Sequence, residues 1–220
     1  MVAVPAWSVV VPAKRLAVAK TRLRPLTDHA AEPAAAHEAL VLALLADTVA
    51  AALACPRVAE VVVVTDEPAA AELVGALGAR TVADAPDAGL NPALEHGARE
   101  AGGDAVAALS SDLPALRPAE LAAALDAAAA PRCFVADVHG TGTTVLTATG
   151  TPLRPRFGQG SARAHREDGA VPLTGDWPGL LRDVDDLDDL RAAVALGVGP
   201  RTTHWLATSP TLAVHLGAAR

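Results

Sequence analysis

The fold is decided at residues 8–15, SVVVPAKR, where a short apolar run passes directly into two cationic residues. A β-branched run closed by a proline predicts a buried β-strand over residues 8–11. Similar runs predict further strands at residues 60–65, 105–109, 133–138 and 145–148. Helical patterns lie between these runs, and that alternation predicts an α/β fold with a largely parallel sheet covered by helices.

The helices are predicted from apolar periodicity and from their first residues. The longest covers residues 34–54, where apolar side chains recur on one helical face: Val41, Leu44, Leu45, Val49 and Ala52. Asn91 is expected to cap a helix whose first residue is Pro92, and Pro118 is expected to begin another. A late helix is predicted over residues 185–196, and no element is assigned beyond Gly199.

Length and composition limit the organisation of the chain. Its 220 residues and 22.2 kDa predict one domain, residues 1–220, with the last twenty or so residues as a C-terminal extension. Only 2% of the residues are aromatic, so the core is expected to consist of Val, Leu and Ala. Cys55 and Cys133 have no metal-ligand spacing and are expected to be buried free thiols.

Charge and hydropathy restrict the possible partners. The net charge of −7 argues against nucleic-acid binding, which requires a basic face. Residues 2–13 are apolar but lack a preceding positive charge, so they are not expected to be a secretion signal. No run approaches the roughly 18 apolar residues of a membrane helix, and we therefore expect a soluble, cytoplasmic protein with no membrane partner.

A cationic loop follows the first predicted strand. It carries Lys14, Arg15, Lys20 and Arg22, and the two lysines are the only ones in the chain. Open α/β sheets bind ligands at the carboxyl ends of their strands, where such side chains could hold a triphosphate. The loop lacks the glycines of a Walker A motif, and a solvated basic loop is the alternative interpretation.

The sequence SSDLP at residues 110–114 ends a buried strand in a carboxylate. Asp112 then lies beside the ligand crevice, a natural position for a magnesium ligand that also contacts substrate phosphates. An Asp before Leu-Pro is also common as a cap or turn residue, so this alternative stays open.

A second acidic segment covers residues 182–190, RDVDDLDDL. Asp183 and Asp185 alternate as on an extended strand, so both can project to one face and share a metal ion with Asp112. The remaining acidic residues of the segment are expected to cap and solvate the following helix.

Two glycine-containing segments lie between the acidic ones. Residues 140–144 read GTGTT, and residues 157–161 read FGQGS before a helix that contains His165. Glycines allow backbone N–H groups to approach an anion, and a helix beginning at Ser161 would direct its amino end at a phosphate or carboxylate. The segments predict an acceptor pocket, with ordinary turn chemistry as the alternative.

Taken in order, these motifs resemble the family of 2-phospho-L-lactate or phosphoenolpyruvate guanylyltransferases, which acts in biosynthesis of the deazaflavin coenzyme F-420. The resemblance covers residues 11–190 and includes VPAKR-x(4)-KTRL, GLN at residues 89–91, SDLP, GTGTT, FGQGS and DVD-x(3)-DL. It implies a Rossmann-like three-layer α/β/α nucleotidyltransferase fold with a mostly parallel mixed sheet. It also implies GTP and Mg²⁺, with the acceptor phosphate attacking the α-phosphorus.

The resemblance also implies roles for individual residues. Asp112 and Asp183 would bind Mg²⁺. Lys14, Arg15 and Lys20 would hold the triphosphate, with Lys14 and Lys20 contributing to catalysis beside the two aspartates. Gly89 and Asn91 would lie near the nucleoside, and the acceptor would be contacted by Thr143, Gly158 and Ser161. The family's sugar-nucleotide relatives have a glycine-rich first loop, whereas Ala, Leu and Val occupy residues 13–19 here.

The resemblance favours phosphoenolpyruvate over 2-phospho-L-lactate as the acceptor, because the composition, rich in Ala and Arg and poor in Lys, is typical of actinobacteria. A possible homodimer and a downstream transferase that receives the product are the expected partners. Two other functions stay open: a nucleotidyltransferase for a molybdopterin, sugar-phosphate or phosphoglycerate acceptor, and a non-catalytic nucleotide-binding regulator. The regulator is the less favoured, because a protein that only binds a nucleotide needs no second carboxylate at Asp183.

Overall fold

The computed structural model describes residues 6–13, 19–85 and 87–208. Seven strands in this part of the chain form one sheet, in the order β3-β2-β1-β4-β6-β5-β7. Strand β6 runs antiparallel to its neighbours β4 and β5, and the other pairs in the sheet are parallel. The strands are β1 (Trp7–Pro12), β2 (Val58–Val64), β3 (Arg80–Val82), β4 (Ala105–Leu109), β5 (Arg132–Ala136), β6 (Thr143–Thr149) and β7 (Val171–Leu173).

Helices cover both faces of the sheet. They are α1 (Pro33–Leu53), α2 (Pro68–Leu77), α3 (Leu90–Ala101), α4 (Pro118–Ala127), α5 (Ser161–Glu167), α6 (Pro178–Leu181), α7 (Leu187–Leu196) and α8 (Pro200–Thr208), with a 3₁₀ helix at Thr21–Leu26. One apolar core joins the sheet to α1, α2 and α4, and a second joins the opposite face to α3 and α5. The three-layer α/β/α fold with a mostly parallel mixed sheet is therefore confirmed.

The central strand β1 shows why this sequence forms a doubly covered sheet. Val9 and Val11 belong to the core on the α1 face, whereas Val10 belongs to the core on the α3 face, and all three are fully buried. A strand buried on both faces needs apolar residues at consecutive positions, which is the pattern of this segment. Helix α3 approaches so closely that a Cβ at Gly97 would lie 2.5 Å from side-chain atoms of Val10 and Val64.

The five predicted strands and the long helix are confirmed with small shifts at their ends, and the start of α4 at Pro118 is confirmed. The short strands β3 and β7 were not predicted, because each has three residues and is at most partly buried. Helix α8 was also unassigned. The free thiols of Cys55 and Cys133 are buried, as expected.

Two local predictions were wrong. Helix α3 begins at Leu90, and its N-cap is Gly89, whose φ of 102° favours glycine. Asn91 therefore lies within the first turn and does not cap the helix. The segment that contains Asp183 and Asp185 is irregular and not a strand, because neither flank supplies a neighbouring strand.

Helix α1 is long and apolar enough to cross a membrane by length and mean hydropathy, although polar residues such as Asp47 and Thr48 interrupt its apolar sequence. Of its most apolar window, 61% is buried within the protein. Leu45, Val49 and Ala52 pack on the sheet, while Leu40, Ala43 and Leu44 pack on the outer elements. These contacts on two sides are those of a core helix.

An outer layer of α7, α8 and the 3₁₀ helix packs on the far side of α1. The N-terminus of α8 is held by Asp47, a buried carboxylate in the middle of α1. Asp47 accepts hydrogen bonds from the backbone N–H groups of Arg201 (3.0 Å) and Thr202 (2.8 Å). Asp47 thus satisfies two donors in the first turn of α8, although it lies 154 residues away in sequence from Arg201.

We expect Asp47→Ala to lower the free energy of unfolding by about 1–3 kcal/mol, because two buried N–H groups lose their acceptor. Urea unfolding followed by circular dichroism measures this change. Glu72→Ala is the matched control, since it also removes a carboxylate from a helix but at an exposed position. An equal effect of the two substitutions would contradict the role given to Asp47.

Candidate active site

A cavity of about 400 Å³ lies at the carboxyl ends of β1 and β4. Chain connections leave these neighbouring strands in opposite directions, from β1 to β2 on one side and from β4 to β5 on the other, so a crevice opens between them. Its lining includes Pro12, Ala13, Ala19, Lys20, Thr21, Arg22, Leu90, Leu94, Leu109, Ser110, Ser111, Asp112, Phe157 and Asp185, together with Val41, Leu44 and Leu45 of α1.

Asp112 stands three residues beyond the end of β4 and is held by its backbone neighbours. The N–H of Leu113 donates to the hydroxyl of Thr48 on α1 (2.9 Å), and the carbonyl of Asp112 accepts from the N–H of Val184 (3.0 Å). Val184 is fully buried in the outer core. This contact fixes the two acidic segments side by side, so that Asp183 and Asp185 flank the strand end that carries Asp112.

Lys20 is the cation of this site. Its ammonium donates to the carboxylate of Asp112 and to that of Asp185, the latter at 2.5 Å. Burial by itself would lower the pKa of Lys20, but the two carboxylates outweigh it and raise the pKa above the usual value. Lys20 has a φ of 50°, and this left-handed backbone begins the 3₁₀ helix that turns its side chain into the crevice.

The positive charge of Lys20 does not affect the carboxylates of this site equally. Burial and the nearby charges of Asp112 and Asp185 raise the pKa of Asp183 to about 7. Burial would also raise the pKa of Asp185, but its ion pair with Lys20 lowers it below the ordinary value. Asp183 is therefore the carboxylate that the crevice leaves without sufficient positive charge.

The arrangement fits a divalent cation by its charge and its donor atoms. Asp112 and Asp185 pair with the ammonium group of Lys20, Asp183 lies within electrostatic range of all three, and carboxylate oxygens are the ligands that Mg²⁺ prefers. Within residues 6–13, 19–85 and 87–208, no three acidic, His or Cys side chains already surround one point. The ammonium group of Lys20 forms ion pairs with Asp112 and Asp185. The metal-binding role of Asp112, Asp183 and Asp185 stays a prediction.

Beside the crevice lies a second cluster, which contains the predicted acceptor residues. The carbonyl of Thr143 accepts from the hydroxyl of Ser110 (3.4 Å), and the hydroxyl of Thr143 contacts Nδ1 of His165 (2.9 Å). Ser161, buried, begins α5, and its N–H donates to the carbonyl of Gly158 (3.1 Å). Thr143 therefore contacts His165, whereas Gly158 and Ser161 lie at the start of the helix that carries His165, and none of the three predicted residues is in the cavity lining.

Asn91 connects the start of α3 to the glycine-containing loop. Its amide donates to the carbonyl of Phe157 (3.0 Å) and accepts from the N–H of the same residue (2.7 Å). Gly89 and Asn91 do not line the described cavity, but Leu90 and Phe157, which they position, do. Asn91 thus acts on the cavity through the loop that it fastens.

The remaining predicted residues, Lys14 and Arg15, lie outside the described part of the chain. Sequence reasoning missed the apolar lining, because Leu90 and Leu94 have the spacing of any core helix face. It also gave no role to Ser110 and Ser111, although both lie in the quoted SSDLP motif. His165 was noted only as a member of a helix, and its contacts to Thr143 and Arg156 are invisible to local spacing.

Residues 7–174 match the family model described as "Guanylyl transferase CofC like". A phosphoenolpyruvate guanylyltransferase from Geodermatophilus obscurus is 70% identical over 214 residues, which cover 96% of this chain and 100% of that protein. Another from Salinispora arenicola is 58% identical over 200 residues, which cover 89% of this chain and 91% of that protein.

Solved structures show the same fold at low sequence identity. A nucleotidyl transferase from Methanothermobacter thermautotrophicus has a TM-score of 0.60 at 20% identity and covers 92% of this chain and 99% of its own. A cytidylyltransferase from Leptospira borgpetersenii has a TM-score of 0.56 at 10% identity, covering 98% of both chains. The motif resemblance, the fold and the high identity to these relatives agree, and the chain belongs to the CofC-like guanylyl transferase family of nucleotidyltransferases.

Proposed function

We propose that this protein transfers GMP from GTP to phosphoenolpyruvate, releasing pyrophosphate, as a step in coenzyme F-420 biosynthesis. The observation that carries the proposal is the group of Lys20, Asp112 and Asp185 in the cavity lining, with the carboxylate of Asp183 within electrostatic range of it. The names of the relatives at 70% and 58% identity support phosphoenolpyruvate as acceptor, with 2-phospho-L-lactate as the alternative.

Asp112 and Asp183 would hold Mg²⁺, with Asp185 as a further ligand. When bound, the ion supplies neutralisation of the phosphate charges and orientation of the reacting groups. Lys20 is already fixed beside these carboxylates and would turn its ammonium to the triphosphate, assisted by Lys14 and Arg15 of the same loop. The surplus negative charge around Asp183 supports this assignment, because a cationic ligand would remove it.

The acceptor would lie against Thr143, Gly158 and Ser161, while Gly89 and Asn91 would border the nucleoside. An oxygen of the acceptor phosphate attacks the α-phosphorus of GTP, and the bond from that phosphorus to the bridging oxygen breaks. Pyrophosphate leaves with the electron pair. The phosphate of the acceptor is already ionised near neutral pH, so neither a protein nucleophile nor a general base is needed.

The product is a diphosphate diester, an activated compound whose organic acid a downstream transferase would take up. We propose that the protein works in the cytoplasm as one domain over residues 1–220, with the last twenty or so residues as an extension, and that it can form a homodimer. The net charge of −7 supports small-molecule substrates over nucleic acid.

Incubation with GTP, Mg²⁺ and phosphoenolpyruvate should give enolpyruvyl-diphosphoguanosine and pyrophosphate, detected by mass spectrometry. Parallel incubations replace the acceptor by 2-phospho-L-lactate or 3-phosphoglycerate, and GTP by ATP, CTP or UTP. We expect the GTP and phosphoenolpyruvate pair to give the highest kcat/KM. Pyrophosphate release only with another pair would contradict the proposed substrates, and binding of GTP without any product would indicate a regulator.

Asp112→Asn should reduce turnover by about hundredfold or more, because it removes a charge that helps to hold the ion, and with it several kcal/mol of transition-state stabilisation. Stability should change little, since the fixed contacts of Asp112 to Val184 and of Leu113 to Thr48 are made by backbone groups of Asp112 and Leu113, and Lys20 keeps its ion pair with Asp185. Pyrophosphate release and thermal unfolding measure the two effects. Asp126→Asn, at an exposed position of α4, is the control and should keep full activity.

Lys20→Ala should weaken GTP binding by about tenfold or more at fixed Mg²⁺, because a charge-assisted contact to phosphate is lost. Lys20→Arg keeps the charge and should retain part of the affinity. Titration calorimetry with GTP measures both, and Arg99→Ala on the exposed face of α3 is the control. An unchanged dissociation constant in Lys20→Ala would argue against a phosphate-binding role.

Asp183→Asn should abolish most activity and yet stabilise the metal-free protein at pH 8 by about 1–4 kcal/mol. The raised pKa of about 7 means that ionising Asp183 costs folding free energy at high pH. The stabilisation should therefore be full above pH 7 and shrink towards pH 4, close to the pKa of about 3.9 of an Asp in the unfolded chain, below which both states hold the proton.

Thermal unfolding in EDTA from pH 4 to pH 8 measures the effect of Asp183→Asn. Asp188→Asn, at an exposed position in the first turn of α7, is the matched control and should not stabilise the protein. A melting temperature of Asp183→Asn at or below that of the parent protein at pH 8 would show that the ionised Asp183 carboxylate does not destabilise the folded protein.

A further inference from the structure

The buried side chain of His165 joins the two glycine-containing segments of the acceptor region. Its Nδ1 lies 2.9 Å from the hydroxyl of Thr143, at the start of β6, and its Nε2 lies 2.8 Å from the backbone N–H of Arg156. The ring packs between two phenylalanines, with centroids 5.9 Å from Phe134 and 5.2 Å from Phe157. His165 is 1% exposed, so these contacts fix both the position and the orientation of the ring.

The partners of His165 determine which ring nitrogen carries the proton. A backbone N–H can only donate, so Nε2 of His165 must accept from Arg156 and be unprotonated. The proton of the neutral ring is then on Nδ1, which donates to the hydroxyl oxygen of Thr143. The ring cannot serve as a proton acceptor in the reaction, because its one basic nitrogen is already occupied by a main-chain donor.

The neutral form of the ring is favoured by its surroundings. Burial is the main cause that lowers the pKa of His165 to about 4, and the nearby charges of Arg132 and Arg156 lower it further, against the opposing charge of Asp168. The arrangement of proton and hydrogen bonds described above therefore persists throughout the neutral pH range.

The orientation of His165 determines what the Thr143 hydroxyl can do. A hydroxyl that accepts from His165 still carries its own proton, which must point away from the ring. In the part of the chain that the structure describes, no hydrogen-bond acceptor is recorded for this proton. Thr143 is 5% exposed and is attached through its carbonyl to Ser110 of the cavity lining. A hydroxyl proton that points away from the ring, beside the cavity, is suited to an anionic oxygen of a ligand.

We propose that His165 is a positioning residue for the acceptor: it fixes the Thr143 hydroxyl as a hydrogen-bond donor to the phosphate or carboxylate of the acceptor substrate. The inference rests on the proposed function, in which Thr143 contacts the acceptor. It assigns to His165 a role in acceptor affinity and none in proton transfer or in binding GTP.

Two substitutions separate the hydrogen bonds of the ring. His165→Asn places an amide nitrogen near the position of Nδ1, so it can still donate to Thr143 but loses the contact to Arg156. His165→Gln places its amide near the position of Nε2, so it can accept from Arg156 but no longer donates to Thr143. Both create similar space in the core, and their melting temperatures measure the structural cost that they share.

We expect His165→Gln to raise the KM for phosphoenolpyruvate by about tenfold, the effect of losing one hydrogen bond to a charged group, with the KM for GTP unchanged. His165→Asn should stay within about threefold of the parent protein despite a comparable loss of thermal stability. Equal acceptor KM values for the two variants would overturn the proposal, since a purely structural role does not distinguish them.

A double-mutant cycle tests the path through Thr143. If His165 acts by orienting the hydroxyl, His165→Gln should have no further effect on acceptor KM once Thr143→Val has removed that hydroxyl. Additive effects would overturn the proposal. Thr143→Ser, which keeps the hydroxyl, should retain the sensitivity to His165→Gln.

Nitrogen-15 NMR of the imidazole gives a readout that does not depend on activity. It should show protonated Nδ1 and unprotonated Nε2 in the GTP-free protein, and the opposite tautomer would overturn the inference. Failure of the proposed function is separable: it would appear as absence of guanylyl transfer by the parent protein. In contrast, normal transfer with an unaltered acceptor KM in His165→Gln would reject the role of His165 alone.

Discussion

The site depends on the enforced proximity of like charges. Asp112 and Asp185 pair with one ammonium group near Asp183, and burial together with repulsion from these two carboxylates raises the pKa of Asp183 to about 7. Such crowding is unfavourable in a protein without a cationic ligand and has to be maintained by the surrounding structure. The substrates of the proposed reaction are polyanions, which repel each other and also repel these carboxylates. A cation bound at these carboxylates would therefore reduce the repulsion between the two substrates and also their repulsion from the protein.

The fold maintains this proximity through apolar burial and main-chain bonds. Val184 is buried under α7 between the two aspartates of its segment, and its N–H is bonded to the carbonyl of Asp112. Thr48 of α1 holds the next residue of the strand end, and Asp47 beside it anchors α8. Neighbouring residues of one core helix therefore support the acidic site on one side and the outer layer on the other. At the strand end, these scaffold contacts use main-chain atoms of Asp112 and Leu113, while the carboxylate of Asp112 pairs with Lys20.

Prediction from the sequence succeeded where the signal is local. The consecutive apolar residues of β1 and β4 predict doubly covered strands, and the carboxylate after β4 predicts an acidic group at the crevice. The same reasoning failed for β3, a short strand at the edge. It also failed for the segment around Asp183, where the alternation of polar and apolar residues reflects the burial of Val184 and not pairing in a sheet. It could not find the contacts of His165. Thr143 is 22 residues away in sequence, and the other partner is the backbone N–H of Arg156, which does not depend on the type of side chain.

The reversed direction of β6 has a consequence for how specificity can change. In a parallel sheet, only the ends of strands reach the ligand edge, but an antiparallel strand presents its beginning there. The turn that Asp137 closes by accepting from the N–H groups of Thr141 and Gly142 leads directly into Thr143, so a short hairpin brings Thr143, the proposed acceptor contact, to an edge otherwise supplied by β1 and β4. In the proposed function, substitutions in this hairpin would alter the choice of organic acid while leaving the nucleotide half of the crevice intact. One inverted strand would thereby make the two halves of the binding surface separately evolvable.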